Sequence, residues 1–387
     1  CWGSARQVGD NSEWERAGFR PAPIQVVGLA SGIVALQGNG GLMCALTAAG
    51  EVWCWGMNYV DVLTQPELPA TVMAPVLVTG LGGPASAIST GWDSACAIVQ
   101  GALKCWGFNR WGSVGDGTTS PRLTPTTILA SGVTAVAGNS TSTCAVQAGA
   151  LKCWGQNAEG QLGIGSRVAS LTPTAVPTLS AGVLDVTTNR LTTRFCARTA
   201  AGAAYCWGSG LYGAIGNGGT TRRLTPTLVR GLSSGVTYIT TGTYHSCALL
   251  GGGVKCWGDD TWGQLGNASG GSTLVPRWVN GLASGVAQLS AAHHHTCAVT
   301  TAHVAKCWGL GGLGNRARYD RIAQSPQFVA ATSPGIDRLT PSTGSSAGGY
   351  DLLVKVYLDE KDDILHSVVE VAHSLGVTRP RVALMAA

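Results

Sequence analysis

The chain has 387 residues, a net charge of +5 and only 12% charged side chains. Its positive charge is not clustered, so a nucleic-acid partner, which wants a basic stripe, is not expected. A hydrophobic share of 45% excludes a disordered chain, and no apolar run of about 18 residues marks a membrane span. The sequence opens on Cys1 rather than Met and reads as a mature or trimmed product.

Seven of the thirteen cysteines begin a Cys-Trp-Gly step, at Cys1, Cys54, Cys105, Cys153, Cys206, Cys256 and Cys307, spaced 48 to 53 residues apart. A period of that size predicts one repeat architecture rather than two or three separate domains. In chain order, Cys1-Trp-Gly stands as the third strand of a unit whose fourth strand falls near Pro23–Val27. The six units that follow each carry a second cysteine, nine or ten residues before the Cys-Trp-Gly step. The segment between the two reads as a hairpin, as in Cys247-Ala-Leu-Leu-Gly-Gly-Gly-Val-Lys-Cys256, where apolar residues alternate around a glycine turn. Residues opposed in such a hairpin have Cα atoms about 4.5–5.5 Å apart, within the reach of a disulfide. The predicted pairs are Cys44 with Cys54, Cys96 with Cys105, Cys144 with Cys153, Cys196 with Cys206, Cys247 with Cys256 and Cys297 with Cys307. Free structural thiols and metal ligation are the alternatives, and zinc sites use shorter Cys-x-x-Cys spacing. Six bridges point to an oxidising compartment.

Residues 235–280 show one unit in full. Short strands are expected from Gly235, from His245, at Val254–Gly258 and from Val275, with a glycine-rich stretch at 259–267 before the last. Four short strands per unit make the blade of a β-propeller, and helical periodicity is absent through all seven units.

At this point the residues carry a family resemblance. Cys153-Trp-Gly-Gln-Asn-Ala-Glu-Gly-Gln-Leu-Gly-Ile-Gly165 resembles the signature of the regulator-of-chromosome-condensation repeat. Cys256 to Asn267 is nearly as close, Cys105 to Gly117 and Cys206 to Gly218 are recognisable, and the units at Cys1 and Cys54 have lost most of the second half. Gly242-Thr-Tyr-His-Ser-Cys-Ala-Leu and His295-Thr-Cys-Ala-Val resemble another step of the repeat. The resemblance covers about residues 1–335. It implies an all-β, seven-bladed propeller that presents loops to a partner protein, and the added cysteines resemble secreted bacterial members.

The phase of the two ends predicts how such a ring closes. Gly335-Ile-Asp-Arg-Leu repeats the register of Gly285-Val-Ala-Gln-Leu, and a strand from Tyr350 follows. Residues 335–356 are thus expected to pair with residues 1–27, giving a propeller over 1–357. The rival reading of 339–350 is the opening of a truncated immunoglobulin-like domain. The tail, residues 358–387, has apolar residues at 364, 365, 368, 369, 372 and 375, with acids ahead of them and Gly376 behind, which predicts a short C-terminal helix. Cys1 is the third-strand cysteine of the closing blade. It lacks an expected partner near Ser346–Gly349, and is read as free, bridged or lipid-modified.

Chemical motifs largely dissolve into the repeat. Gly231-Leu-Ser-Ser-Gly235 matches a nucleophile elbow, but the same inter-blade loop recurs as Gly28-Leu-Ala-Ser-Gly with Ala in the nucleophile place. His293, His294 and His295 form the strongest metal-like cluster, with His293 and His295 on one face if the segment is a strand and His303 across the hairpin. The repeat position of His295 and the lack of a nearby carboxylate argue against metal. No catalytic residue, cofactor or metal is expected, and the protein is read as non-enzymatic. Trp14, Trp92, Trp111, Trp262 and Trp278 fall outside the Cys-Trp-Gly set; with His293 and His294 they form the candidate binding surface, since exposed aromatics anchor interfaces and stack on sugars. The resulting expectation is a secreted or cell-surface scaffold that binds a protein. A structural subunit of a self-assembling extracellular array and a glycan-binding propeller are the alternatives.

Overall fold

Alternating apolar residues around a glycine turn make each cysteine pair the centre of a hairpin, and in the computed structural model a further strand flanks every such hairpin on each side. The model describes residues 25–311 apart from 40, 59–61, 66 and 93, residues 322–329, and shorter segments nearer the termini. Among the described residues six four-stranded antiparallel sheets follow one another, at Ile33–Leu77, Ala85–Leu129, Val133–Ala175, Val183–Leu228, Val236–Trp278 and Val286–Phe328. These are blades 1 to 6. Within each blade the strands lie in sequence order. First strands of successive blades neighbour one another, so they ring a common axis and the fourth strands face outward. In blade 5 the strands are Val236–Thr241, His245–Leu250, Gly253–Gly258 and Thr273–Trp278, within two residues of their expected positions.

Three repeated contacts hold the blades. The first is the disulfide. All six expected pairs form, between residues directly opposed in the second and third strands, with Cα atoms 4.0–4.1 Å apart. That is closer than the expected spacing. The second is the tryptophan after each third-strand cysteine. Trp106, Trp154, Trp207, Trp257 and Trp308 are wholly buried. Each donates its indole N–H to a carbonyl of the preceding blade's long loop, those of Val62, Ser113, Gln161, Ala214 and Gln264, at 2.8–3.0 Å. The third is the Asn of the repeat. The side-chain oxygens of Asn58, Asn109 and Asn157, and of Asp260 in the same place, accept the backbone N–H five residues on and fix the long loop's turn. Apolar clusters accordingly lie between blades: one joins Cys196, Ile215 and Val229 to Ala248 and Trp257, another Leu249 and Leu265 to Leu289 and Trp308.

Two expectations are corrected. Six complete blades, not seven, are present among the described residues. The expected seventh is represented by a two-stranded sheet, Gly3–Ser4 with Phe19–Arg20, and a separate sheet of Asp351–Glu360, Asp363–Ala372 and Met385–Ala386. Asp363–Ala372 lies against the first strands of blades 1 and 6, and Asp351–Glu360 lies beside Gly3–Ser4. The tail is also not helical over 363–372; it pairs antiparallel with 351–360 in a register that runs from Asp351 with Ala372 to Glu360 with Asp363. The segment is rich in Val and Ile, whose branched side chains suit a strand and resist a helix. Its neighbour Asp-Leu-Leu-Val-Lys-Val-Tyr-Leu offers a matching edge. Among the described residues there is no α-helix, only the short 3-10 turns Pro177–Leu179 and Leu211–Gly213, and none long and apolar enough to cross a membrane. Cys1, Trp14 and residues 331–350 lie outside the described residues.

Candidate binding face

In an antiparallel blade the loop after the first strand and the loop after the third emerge at the same end. Six blades therefore gather their inner and long loops on one face of the ring. The inner loops are tied to one another around the axis. The Asn139 amide of blade 3 donates to the Thr192 carbonyl of blade 4 at 3.0 Å, and the Ser140 hydroxyl to the Arg190 carbonyl at 2.8 Å. The Thr243 hydroxyl of blade 5 donates to Asn189 at 3.3 Å, and its N–H to the Ala292 carbonyl of blade 6. Gly242 completes this packing: a Cβ there would stand 2.3 Å from the Ala292 oxygen.

On this framework the loops place a connected set of rings and cations. The Arg190 guanidinium lies over the Trp92 indole, 4.4 Å from its centroid, although the two come from blades 4 and 2. Tyr244 of blade 5 meets Tyr212 edge-on at 5.3 Å and His293 of blade 6 at 6.3 Å. His293 and His294 stand 3.7 Å apart, and His294 meets Trp262 at 5.8 Å. Further out, Arg110 lies over Trp111. Trp92, Trp111 and Tyr212 are 39%, 40% and 49% exposed. Rings held by neighbours yet open to solvent lose little freedom on binding, the composition of an interaction hot spot.

Of the residues singled out from the sequence, Trp92, Trp111, Trp262, His293 and His294 share this face. Trp278 does not; it lies on the outer strand of blade 5. Trp14 lies outside the described residues. Sequence reasoning passed over Arg190, Tyr212 and Tyr244. A usable signal existed in the phase of the repeat, since Ser140 and Arg190 are bonded 50 residues apart, so each inner loop can be indexed by the period. The histidine strand is corrected: His293 and His294 belong to the inner loop, only His295 opens a strand, and His303 sits in the turn at that hairpin's other end. Among the described residues no group of three His, Cys, Asp or Glu side chains is placed to hold a metal.

His245 and His295 serve the scaffold. Both are fully buried, and His245 Nε2 lies 2.9 Å from the Thr296 hydroxyl of the next blade. In blade 4 Arg194 takes the same place and donates to the Gly242 and His245 carbonyls. Burial, with the Arg194 charge second, drives the His245 pKa well below the usual imidazole value. Burial and then His294 bring His295 to about 3; burial, His294 and Arg190 do the same for His293. The unfolded imidazoles bind protons below about 6.5, whereas the folded ones stay neutral until about pH 3. Stability is therefore complete above pH 6.5 and is lost as pH falls toward 3. We predict a falling melting temperature between pH 7 and pH 4, with a shallower fall in His295→Gln. An equal slope in the two proteins would show that His295 does not contribute.

Disulfide-pinned blades tied through buried tryptophans and opened into loops at one end define an all-β propeller. Three segments, residues 149–188, 201–249 and 252–299, match the Regulator of chromosome condensation (RCC1) repeat, and each described blade carries a disulfide between its second and third strands. Solved structures share the fold. Human WBSCR16 is 21% identical, with 85% of this chain and 93% of that chain covered and a TM-score of 0.71. Yeast RCC1 (Prp20), crystallised with bound Kap60, is 18% identical over 86% of this chain and 83% of that chain, with a TM-score of 0.72. Prp20p from Saccharomyces cerevisiae, described with its binding properties to Gsp1p and histones, gives 18% identity, 86% and 85% coverage and the same TM-score. No curated protein matches the sequence.

Proposed function

We propose that the chain is a secreted or cell-surface, non-enzymatic scaffold that holds a protein partner on its loop face. The observation that carries this reading is the ring cluster of Trp92, Arg190, Tyr244, Tyr212, His293, His294 and Trp262, assembled from four blades and partly open to solvent. Repeat contacts account for the Cys-Trp-Gly tryptophans; they do not require an aromatic at Trp92, Trp111 or Tyr212. The RCC1-type relative from yeast binds proteins, which supports a protein as the partner. Six disulfides support an oxidising compartment outside the cytosol.

The experiment is affinity capture from the medium and surface fraction of the source, with the wild-type chain and a Trp111→Ala, Tyr212→Ala double variant side by side. A discrete protein retained by the first and lost by the second is expected, with binding weakened by roughly 2 kcal/mol or more. Equal recovery by both would remove this face as the binding surface. Because both side chains are exposed, the variant keeps the wild-type melting temperature.

A further inference from the structure

Among the described residues, one more exposed tryptophan stands apart from the loop face. Trp278 is 44% exposed and borders a shallow, solvent-open cavity between the outer strand of blade 5 and its long loop, lined also by Asn267, Ser272, Thr273, Arg277 and Asn280. Lys255 holds the indole from one side, its ammonium 4.6 Å from the ring centroid. The loop wall is preorganised: the Asn267 side-chain Oδ1 accepts the Ser269 N–H at 3.0 Å, and the Ser272 hydroxyl is bonded to Asp259 and to the Asp260 N–H. Beside the ring, Arg277 and Asn280 present exposed planar polar groups to the same space.

The repeat does not ask for this combination. In the other five blades the residue paired at Trp278's register is Leu77, Thr127, Ala175, Leu228 or Phe328, and the one at Arg277's register is Val76, Thr126, Thr174, Thr227 or Gln327. Blade packing is therefore satisfied without an indole or a guanidinium here. A purely apolar ligand would strand the amides, hydroxyls and guanidinium that line the cavity. A pyranose matches them at once: its C–H face covers the indole, and its ring hydroxyls both donate and accept, as Asn267 and Asn280 require. Arg277 adds a site for a carboxylate, so sugars bearing a uronic acid fit best. We infer that the Trp278 cavity is a saccharide-binding site, separate from the protein-binding face.

The disulfide-intact protein is to be screened on an array of neutral and uronic-acid-containing oligosaccharides, and the tightest binder titrated by calorimetry. We expect binding that weakens roughly tenfold or more in Trp278→Ala, a loss of about 1.4 kcal/mol. Asn280→Ala should weaken binding several-fold, and Arg277→Gln should weaken the uronic-acid sugars while sparing the neutral ones. Trp111→Ala should bind as the wild type does, which separates this site from the loop face. No oligosaccharide bound at millimolar concentration, or equal binding by the wild type, Trp278→Ala and Asn280→Ala, would overturn the inference.

Discussion

Trp207→Ala is expected to lower the unfolding free energy by roughly 3–5 kcal/mol, the usual cost of deleting a large buried aromatic. The indole is wholly buried between blades 3 and 4, stacks on Phe195 with centroids 6.2 Å apart, and donates its N–H to the Gln161 carbonyl at 2.8 Å. Both walls of the space it fills are sheets pinned by disulfides, so the cavity cannot collapse, and the cost belongs at the upper end. Trp207→Phe separates packing from hydrogen bonding. It keeps most of the volume but strands the Gln161 carbonyl, for about 1–3 kcal/mol. Gly163 supplies the complementary test. It holds φ of +70°, and a Cβ there would stand 2.8 Å from the indole nitrogen. Gly163→Ala is thus destabilising alone and less so beside Trp207→Ala, a coupling that a double-mutant cycle reads directly. Denaturant midpoints for the wild type and the four variants measure all of this. A shift below about 1 kcal/mol for Trp207→Ala would mean that inter-blade contact does not rest on the tryptophan.

The propeller was legible because its information is local and repeated. A hairpin needs only alternation around a glycine turn, and the six disulfides close loops of nine or ten residues, so neither required knowledge of distant parts of the chain. The binding face was only half legible. Trp92 and His293 stood out by residue type, but Arg190 joins Trp92 across an intervening blade, and Tyr244 joins His293 across a blade boundary. Such meetings depend on how blades are set around an axis, which no local pattern encodes. The tail failed for a different reason. Its apolar spacing fits a helix, yet Val368, Val369 and Val371 favour a strand once Asp351–Glu360 is available as a partner. A pairing edge from outside the window decided between two periodicities that the window alone allowed.

Reduction of the disulfides is the second large effect. Closing a loop of about ten residues stabilises a fold by roughly 2–3 kcal/mol through the entropy of the unfolded chain. Six such bridges together approach or exceed the whole stability of an ordinary protein, about 5–15 kcal/mol. The fully reduced chain is therefore expected not to refold, read by the loss of tryptophan burial in fluorescence and of near-ultraviolet dichroism. In the native state the twelve paired cysteines are buried, so reductant alone should leave them bridged, and alkylation should require denaturant as well. Removing the bridges one at a time tests the cause. The sequence separations are nearly equal, nine or ten in every blade, and loop closure depends only on that separation. Paired Cys→Ala variants should therefore cost nearly the same in blades 1 to 6. A blade whose variant costs several times more than the rest would show that packing around the sulfurs, rather than loop closure, sets the contribution there. Uniform costs would mean that each blade is stapled independently, which would leave the loops free to diverge in sequence while the ring beneath them stays fixed.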